Sequence, residues 1–377
     1  MIYLDYAATT PMNPLVIETM TQAMQELYGN PSSVHQEGKK ARHQLLNARQ
    51  RIASVLKVSR DDLYFTSGAT EANNWALRSQ AYRARQLNKG SHIISSSIEH
   101  PSVMAVLSLL EEEGFDITYI DPDPQTLNIT VEDYLKQTTD RTIGWVAMAV
   151  NNEVGSILPI YELGQAAQQE EVWFHVDFVQ ALGKLSFEID KIGCTSLSLS
   201  AHKVFGPKGI GLLYYHPADE QMILQPLLRG GGQERGMRSG TENIPSIMGF
   251  ATAIEQLTLH PIQPILQKNY QYLLQQLEQL AIPYEINGPQ EAHAPHIISL
   301  WLKDIPAQRA LIQLDLNQIA ISAGSACSAG TVQDSPILKA YYPNQPNRWH
   351  ESLRVSFGPQ TTTDEIDQLV KAFAQLA

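Results

Sequence analysis

Ser198-Leu199-Ser200-Ala201-His202-Lys203 reads as a strand of small and apolar residues that ends by delivering a histidine and a lysine. Upstream, Trp173-Phe174-His175-Val176-Asp177 is a second apolar run, closed by a carboxylate. Outward from these two, residues 63–66, 92–95, 116–120, 142–150, 172–176, 195–200 and 209–215 are strand candidates. Helical patterns separate them. One follows from Thr70; another opens at Pro101 and sets Val103, Val106, Leu107 and Leu110 on one face. Apolar strands alternating with helices indicate a parallel sheet covered on both faces. Such sheets bind ligands beyond the carboxyl ends of their strands, which puts Asp177 and Lys203 at one rim.

A composition shift at residues 257–267 ends this pattern. A Gln-rich amphipathic helix over 265–280 follows, then strand-like 296–302, a helix from Pro306, and strand-like 319–322 and 353–357. In the last helix Thr362 and Glu365 form a capping box, and Asp367 and Lys371 are spaced as an i,i+4 pair. We expect a large α/β domain over residues 15–258. A smaller α+β domain takes the rest.

The chain has 377 residues, 43% hydrophobic and 18% charged, which excludes disorder as the main state. Its two cysteines, Cys194 and Cys327, cannot make a disulfide framework. No apolar run approaches the ~18 residues needed to cross a bilayer, and no signal peptide opens the chain. The expected location is the cytoplasm. A net charge of −12 argues against a surface built for nucleic acid.

Standard motifs are missing. There is no Gly-x-Gly-x-x-Gly after a strand, and Leu212 stands where a P-loop needs lysine. No metal site of standard spacing and no Gly-x-Ser-x-Gly elbow occur. The chemistry has to come from three pieces. A partly desolvated lysine at a strand end loses pKa and can form an imine with an aldehyde. A lysine is otherwise a solvated surface cation, and Lys208 fits that description better than Lys203. Asp177 ends an apolar strand, where a carboxylate needs a cationic partner such as a protonated pyridine nitrogen, or serves as a cap or in a salt bridge. Thr66-Ser67-Gly68-Ala69-Thr70-Glu71 turns from a strand into a helix through small residues. Its free amides suit a phosphate, unless Thr70 is simply the helix cap. Ser200 and His202 can add donors. Together the pieces describe a pyridoxal phosphate site.

At this point the chain resembles the class I cysteine desulfurases of the NifS/IscS type. The resemblance runs end to end. It is carried by residues 3–10 (Tyr-Leu-Asp-Tyr-Ala-Ala-Thr-Thr), 66–71 with Asn73-Asn74, Glu99-His100, 150–155 (Val-Asn-Asn-Glu-Val-Gly) and His175-Val176-Asp177 with Gln180. It continues through 200–211, 230–241 and Gly324-Ser325-Ala326-Cys327. It implies fold type I of the pyridoxal phosphate-dependent transferases, an α/β fold. A mostly parallel central sheet would lie in a large domain. Residues 1–14 would join 259–377 in the smaller α+β domain carrying the Cys327 loop.

The resemblance also implies roles. Lys203 would carry the cofactor as an imine and take the substrate α-proton. Asp177 would hold the ring nitrogen, and His100 would stack on the ring and move protons. Asn152 and Gln180 would touch ring substituents, Asn152 at the substrate as well. Ala69, Thr70, Ser200 and His202 would hold the phosphate. Thr241 would reach the phosphate of a neighbouring subunit in a homodimer. Arg354 would grip the substrate carboxylate, a task suited to a guanidinium fork.

Cys194 sits before a strand and reads as a core residue. Cys327 lies among Gly, Ser and Ala without a large apolar anchor, and would be the nucleophile that accepts sulfur from L-cysteine as a persulfide, leaving L-alanine. The loop has Ala323 and Ser328 where the commoner family form has Ser and Thr. Members that serve an iron–sulfur scaffold run on past the last helix, and here that helix is followed directly by the end at Ala377. Delivery to a tRNA-thiolating enzyme therefore competes with iron–sulfur cluster assembly as the expected destination. Two other readings stay open: another fold-type I reaction, such as transamination, lyase or selenocysteine chemistry, of which plain transamination has no use for Cys327, and a sulfur carrier or scaffold subunit without turnover, which the intact Lys203, Asp177, His100 and Arg354 oppose.

Overall fold

The computed structural model describes residues 1–324 and 334–376. Among these, twelve strands form in chain order: β1 (Ile2–Tyr3), β2 (Leu63–Thr66), β3 (His92–Ser96), β4 (Asp116–Ile120), β5 (Thr142–Met148), β6 (Trp173–Asp177), β7 (Ser196–Ser200), β8 (Gly211–Tyr215), β9 (Glu285–Ile286), β10 (Ile297–Trp301), β11 (Ile319–Ala320) and β12 (Ser352–Ser356). Seven of them make the central sheet, in the order β2-β8-β7-β6-β5-β3-β4. From β7 to β4 every pairing is parallel. The expectation of a parallel sheet fails at β8, which runs antiparallel to both β7 and β2. The cause is the link between β7 and β8. It runs over residues 201–210 and carries His202 and Lys203, shorter than the dozen or more residues of the crossover that parallel strands need.

The sheet is covered on both faces. Ile93, Val146 and Trp173 enter one apolar cluster, while their neighbours Ile94, Trp145 and Phe174 enter another. Alternation along a strand does this wherever both neighbours are apolar. The helix Pro101–Glu112 buries Val103, Val106, Leu107 and Leu110, the stripe its periodicity marks. Each such side chain contributes roughly 1.5–3 kcal/mol when fully buried.

The other strands form two small sheets. β10 lies between β9 and β12, antiparallel to both, and β1 pairs in parallel with β11. The helix Thr363–Ala374 starts with the Thr362–Glu365 capping box. Asp367 does not bridge to Lys371; it accepts a hydrogen bond from Tyr272 Oη at 2.8 Å. The phenol gives it a partly buried, directional partner, where an exposed i,i+4 pair is worth a few tenths of a kcal/mol.

The N-terminal segment ties the sheets together. Leu4 N donates to Ala320 O and Ser356 N to Leu4 O. Further along, Thr10 N and Oγ1 both donate to His202 O, and Phe205 N donates to Thr10 Oγ1 at 2.8 Å. Phe205 is held at φ 62°, a left-handed conformation costly for a bulky residue, in the turn that presents Lys203. Thr10 supplies the bonds that hold it there. No helix among the described residues is long and apolar enough to cross a membrane.

Candidate active site

The rim of the sheet collects the expected residues. Asp177 is the last residue of β6, and Lys203 follows β7, its parallel neighbour. Asp177 is 5% exposed. Asn73 Nδ2 donates to its Oδ2 at 3.0 Å and the Val179 amide to its Oδ1 at 3.1 Å. Among the described residues no lysine or arginine pairs with it. A buried carboxylate with neutral donors only is short of a positive charge.

Lys203 Nζ donates to the carbonyls of Ala7 at 2.6 Å and Ala8 at 2.8 Å. Burial, with Arg354 nearby, lowers its pKa to about 8, against the pull of Asp5 and Asp177. At pH 7 about a tenth of it is therefore free amine, against less than about one part in a thousand for an ordinary lysine, and free amine is the form that attaches to a carbonyl. Lys208 is exposed, as its turn suggests.

His100 caps the helix Pro101–Glu112: its Nδ1 accepts from Ser102 N–H at 3.1 Å and lies 2.8 Å from Ser102 Oγ. Burial lowers its pKa, with Lys203 adding to the effect and Asp177 opposing it. With Nδ1 engaged as acceptor, the neutral ring carries its proton on Nε2.

Two residues behind the rim lie in stretches that carry the resemblance but have no role assigned from the sequence. Asn73 joins Asp177 to Ser102 Oγ at 2.9 Å, and its Oδ1 lies 3.0 Å from His175 Nε2. His175 is fully buried and its pKa falls to about 3, so it stays neutral. The available signal was spacing: His175 and Asp177 are i and i+2 on one strand and face the same side. Asn73→Leu removes donors from Asp177 and Ser102 and a partner from His175. It is expected to cost about 2–4 kcal/mol in urea unfolding and at least tenfold in turnover. Unchanged values for both would remove Asn73 from the site.

The turn from β2 into the next helix does not use Thr70 as its cap. The cap of the helix Ala69–Gln86 is Gly68, and no side chain caps the first turn. Its leading amides and the positive end of the helix dipole stay available to an anion. Thr66 and Ser200 flank Gly211 in register. A Cβ on Gly211 would stand 2.6 Å from Gly68 Cα, so this position admits only glycine. His202 Nδ1 lies 3.1 Å from Thr9 Oγ1, and burial with three nearby lysines lowers its pKa to about 4. It is a neutral donor or acceptor there.

On the opposite side, Arg354 in β12 is 2% exposed. Its Nη1 donates to Asn152 O at 2.7 Å and its Nη2 to Asp5 Oδ1 at 2.8 Å; its Nε has no hydrogen-bond partner among the described residues. This is a buried pair, not the surface one that an isolated arginine suggests, and Asp5 is its unforeseen partner. Gln180 Nε2 donates to Ala7 O at 2.9 Å. Thr241 is exposed. Cys327 lies outside the described residues, but Ser322, just before it, exchanges two backbone hydrogen bonds with Arg354. Cys194 is buried and its thiol is pushed up to about 12, which makes it inert.

The family model Aminotransferase class-V matches residues 2–369. The chain belongs to the class-V aminotransferase family. Within it the similarity is to cysteine desulfurases of the NifS/IscS type. The cysteine desulfurase IscS of Dictyoglomus turgidum is 37% identical over 97% of this chain and 92% of its own. A solved NifS-like protein superposes with a TM-score of 0.90 at 31% identity, over 99% of this chain and 98% of that one. A second structure, SspA in complex with cysteine, gives 0.82 at 31% identity over 96% and 100%.

The cofactor of this class-V family member is pyridoxal 5′-phosphate, and the residues present fit it. A buried carboxylate without a cation awaits the ring nitrogen, an amine of lowered pKa awaits the aldehyde, and an uncapped helix start awaits the phosphate.

Proposed function

We propose that this chain withdraws the sulfur of L-cysteine and holds it as a persulfide on Cys327. L-cysteine and the Cys327 thiol become L-alanine and the persulfide, with no other reactant. The observation that carries this reading is Lys203, an amine of lowered pKa on the same rim as a buried, cation-free Asp177. Pyridoxal phosphate, when bound, supplies the sink for electrons left at the substrate Cα.

The protein's own residues do the rest. Asp177, oriented by Asn73, holds the ring nitrogen protonated. Ala69, Thr70, Ser200 and His202 hold the phosphate. Asn152 and Gln180 contact ring substituents. Arg354 binds the substrate carboxylate, and Asn152 lies beside it. With the cofactor bound, Lys203 as free amine would accept the Cα proton, and His100 Nε2 would be the group to hold or exchange a second proton. The Cys327 thiolate attacks the substrate sulfur. The direct test is sulfide release from L-cysteine with a reductant, with and without added pyridoxal phosphate. Equal rates in the cofactor-free protein would sink the reading.

We further propose a large domain, residues 15–258, and a small one, residues 1–14 with 259–377. The seven-stranded sheet lies wholly within residues 63–215, while β1 and β9 to β12 pair only among themselves, which supports this division. A homodimer is also proposed, with Thr241 reaching the partner's phosphate. Thr241 is exposed, and the segment before it is fixed within its own chain: Arg238 Nε donates to Glu71 Oε1 at 2.8 Å, and the buried Glu234 pairs with Arg49 and accepts from Phe65 N–H at 3.0 Å. Light scattering should give twice the 42.0-kDa chain mass. Thr241→Val should weaken cofactor binding about three- to tenfold. A monomer of full affinity would exclude the dimer.

The acceptor is proposed as a cytoplasmic protein of tRNA thiolation or iron–sulfur cluster assembly, reached by thiol exchange. Radiolabelled sulfur on Cys327 should move to one acceptor class and not to the other.

A further inference from the structure

Lys184 is 4% exposed, yet it ends in an amine. An apolar residue there would avoid the cost of taking an ammonium group out of water. The basic groups that face it are Lys203, Arg354, His202 and His296, the two histidines held neutral by burial, and no carboxylate is among them. Burial, with Lys203 and Arg354 nearby, holds its pKa well below the usual lysine value. Its Nζ donates to Gln180 Oε1 at 2.8 Å. Gln180 Nε2 in turn donates to Ala7 O, and Ala7 O also receives Lys203 Nζ.

An amide side chain has two ends of nearly equal shape, one donor and one acceptor. Ala7 O accepts only, so it selects the Nε2 end. But Lys203 shares that carbonyl, and Lys203 must leave it to take up the cofactor. The Lys203 bond to Ala7 O is thus the one that breaks when the site fills, and it changes the acceptor that Gln180 shares. Lys184 holds the other end of the amide and takes no part in that exchange.

We propose that Lys184 is a positioning residue: it fixes the Gln180 amide with its Nε2–H toward the cofactor ring throughout loading and turnover. This rests on the reading of Gln180 as a ring-side donor.

A double-mutant cycle tests it. Pyridoxal phosphate is titrated into cofactor-free wild type, Lys184→Met, Gln180→Leu and the double variant. The Kd, the absorption maximum of the loaded protein and the thermal midpoint of the free protein are read. Lys184→Met is expected to raise the Kd about tenfold, the loss of one directed hydrogen bond, and to move the absorption in the same direction as Gln180→Leu. The double variant should match Gln180→Leu within about threefold, because Lys184 acts only through the amide. Losses that multiply to about a hundredfold overturn the proposal, as does a Lys184→Met protein that matches wild type in both Kd and spectrum. If Gln180→Leu alone changes neither, the reading of Gln180 has failed, and the proposal with it. Should Lys184→Met not fold, Lys184→Leu takes its place in the same cycle.

Discussion

Lys203→Met is expected to lower sulfide release from L-cysteine by about 10⁴-fold or more, while the protein stays folded. The amine attaches the cofactor and moves the substrate proton, and each task alone contributes factors of that order. Residual turnover within tenfold of wild type would transfer both tasks to another residue. The same variant has a pH signature without cofactor. The folded-state pKa of Lys203, about 8, lies below the ordinary 10.5. Below about pH 8 both folded and unfolded chains hold the proton. Between about 8 and 10.5 only the unfolded chain does, so the stability contributed by this site rises with pH across that window. Wild type should therefore gain on Lys203→Met by up to about 3 kcal/mol from pH 8 to 10.5, read as the difference of two urea-unfolding series. A constant difference would mean that Lys203 is not depressed.

Cys327→Ser is the second large effect. It should cut sulfide release at least a hundredfold while leaving cofactor absorption and L-cysteine binding in place, because a serine hydroxyl cannot take up sulfur as a persulfide. Mass analysis after alkylation should find one extra sulfur on wild type and none on the variant. Cys194 cannot stand in, since its thiol is buried and pushed up to about 12. Cys194→Ala should release sulfide at the wild-type rate within about twofold. If Cys327→Ser equals wild type, sulfur leaves by a route that does not pass through this thiol.

Much of this site is legible along the chain because each main piece ends a strand. Asp177, Lys203 and the 66–71 turn announce themselves where apolar runs stop, and parallel topology brings such ends to one rim. The antiparallel β8 was missed because its apolar run looks the same in either direction; only the short link to β7 decides it. Asp5, Asn73 and Lys184 carry no local mark of their role. Each earns it from a partner far along the chain or across a turn: Arg354, Asp177 and the amide of Gln180. Thr70 was a plausible cap by residue type, and Gly68 took the position because the turn is packed against Gly211.

The bracing of the Lys203 turn by the N-terminal segment bears on how the protein is made. Residues 4–10 leave the ribosome before any strand of the central sheet, yet they bond to residues 202–205, 320 and 356. The seven-stranded sheet can be complete as soon as Tyr215 has emerged. The opening segment must still wait for β12, the last strand synthesised. Arg354 thus meets Asp5 only once β12 has been made. A nascent chain with a finished sheet is still without a finished reaction centre.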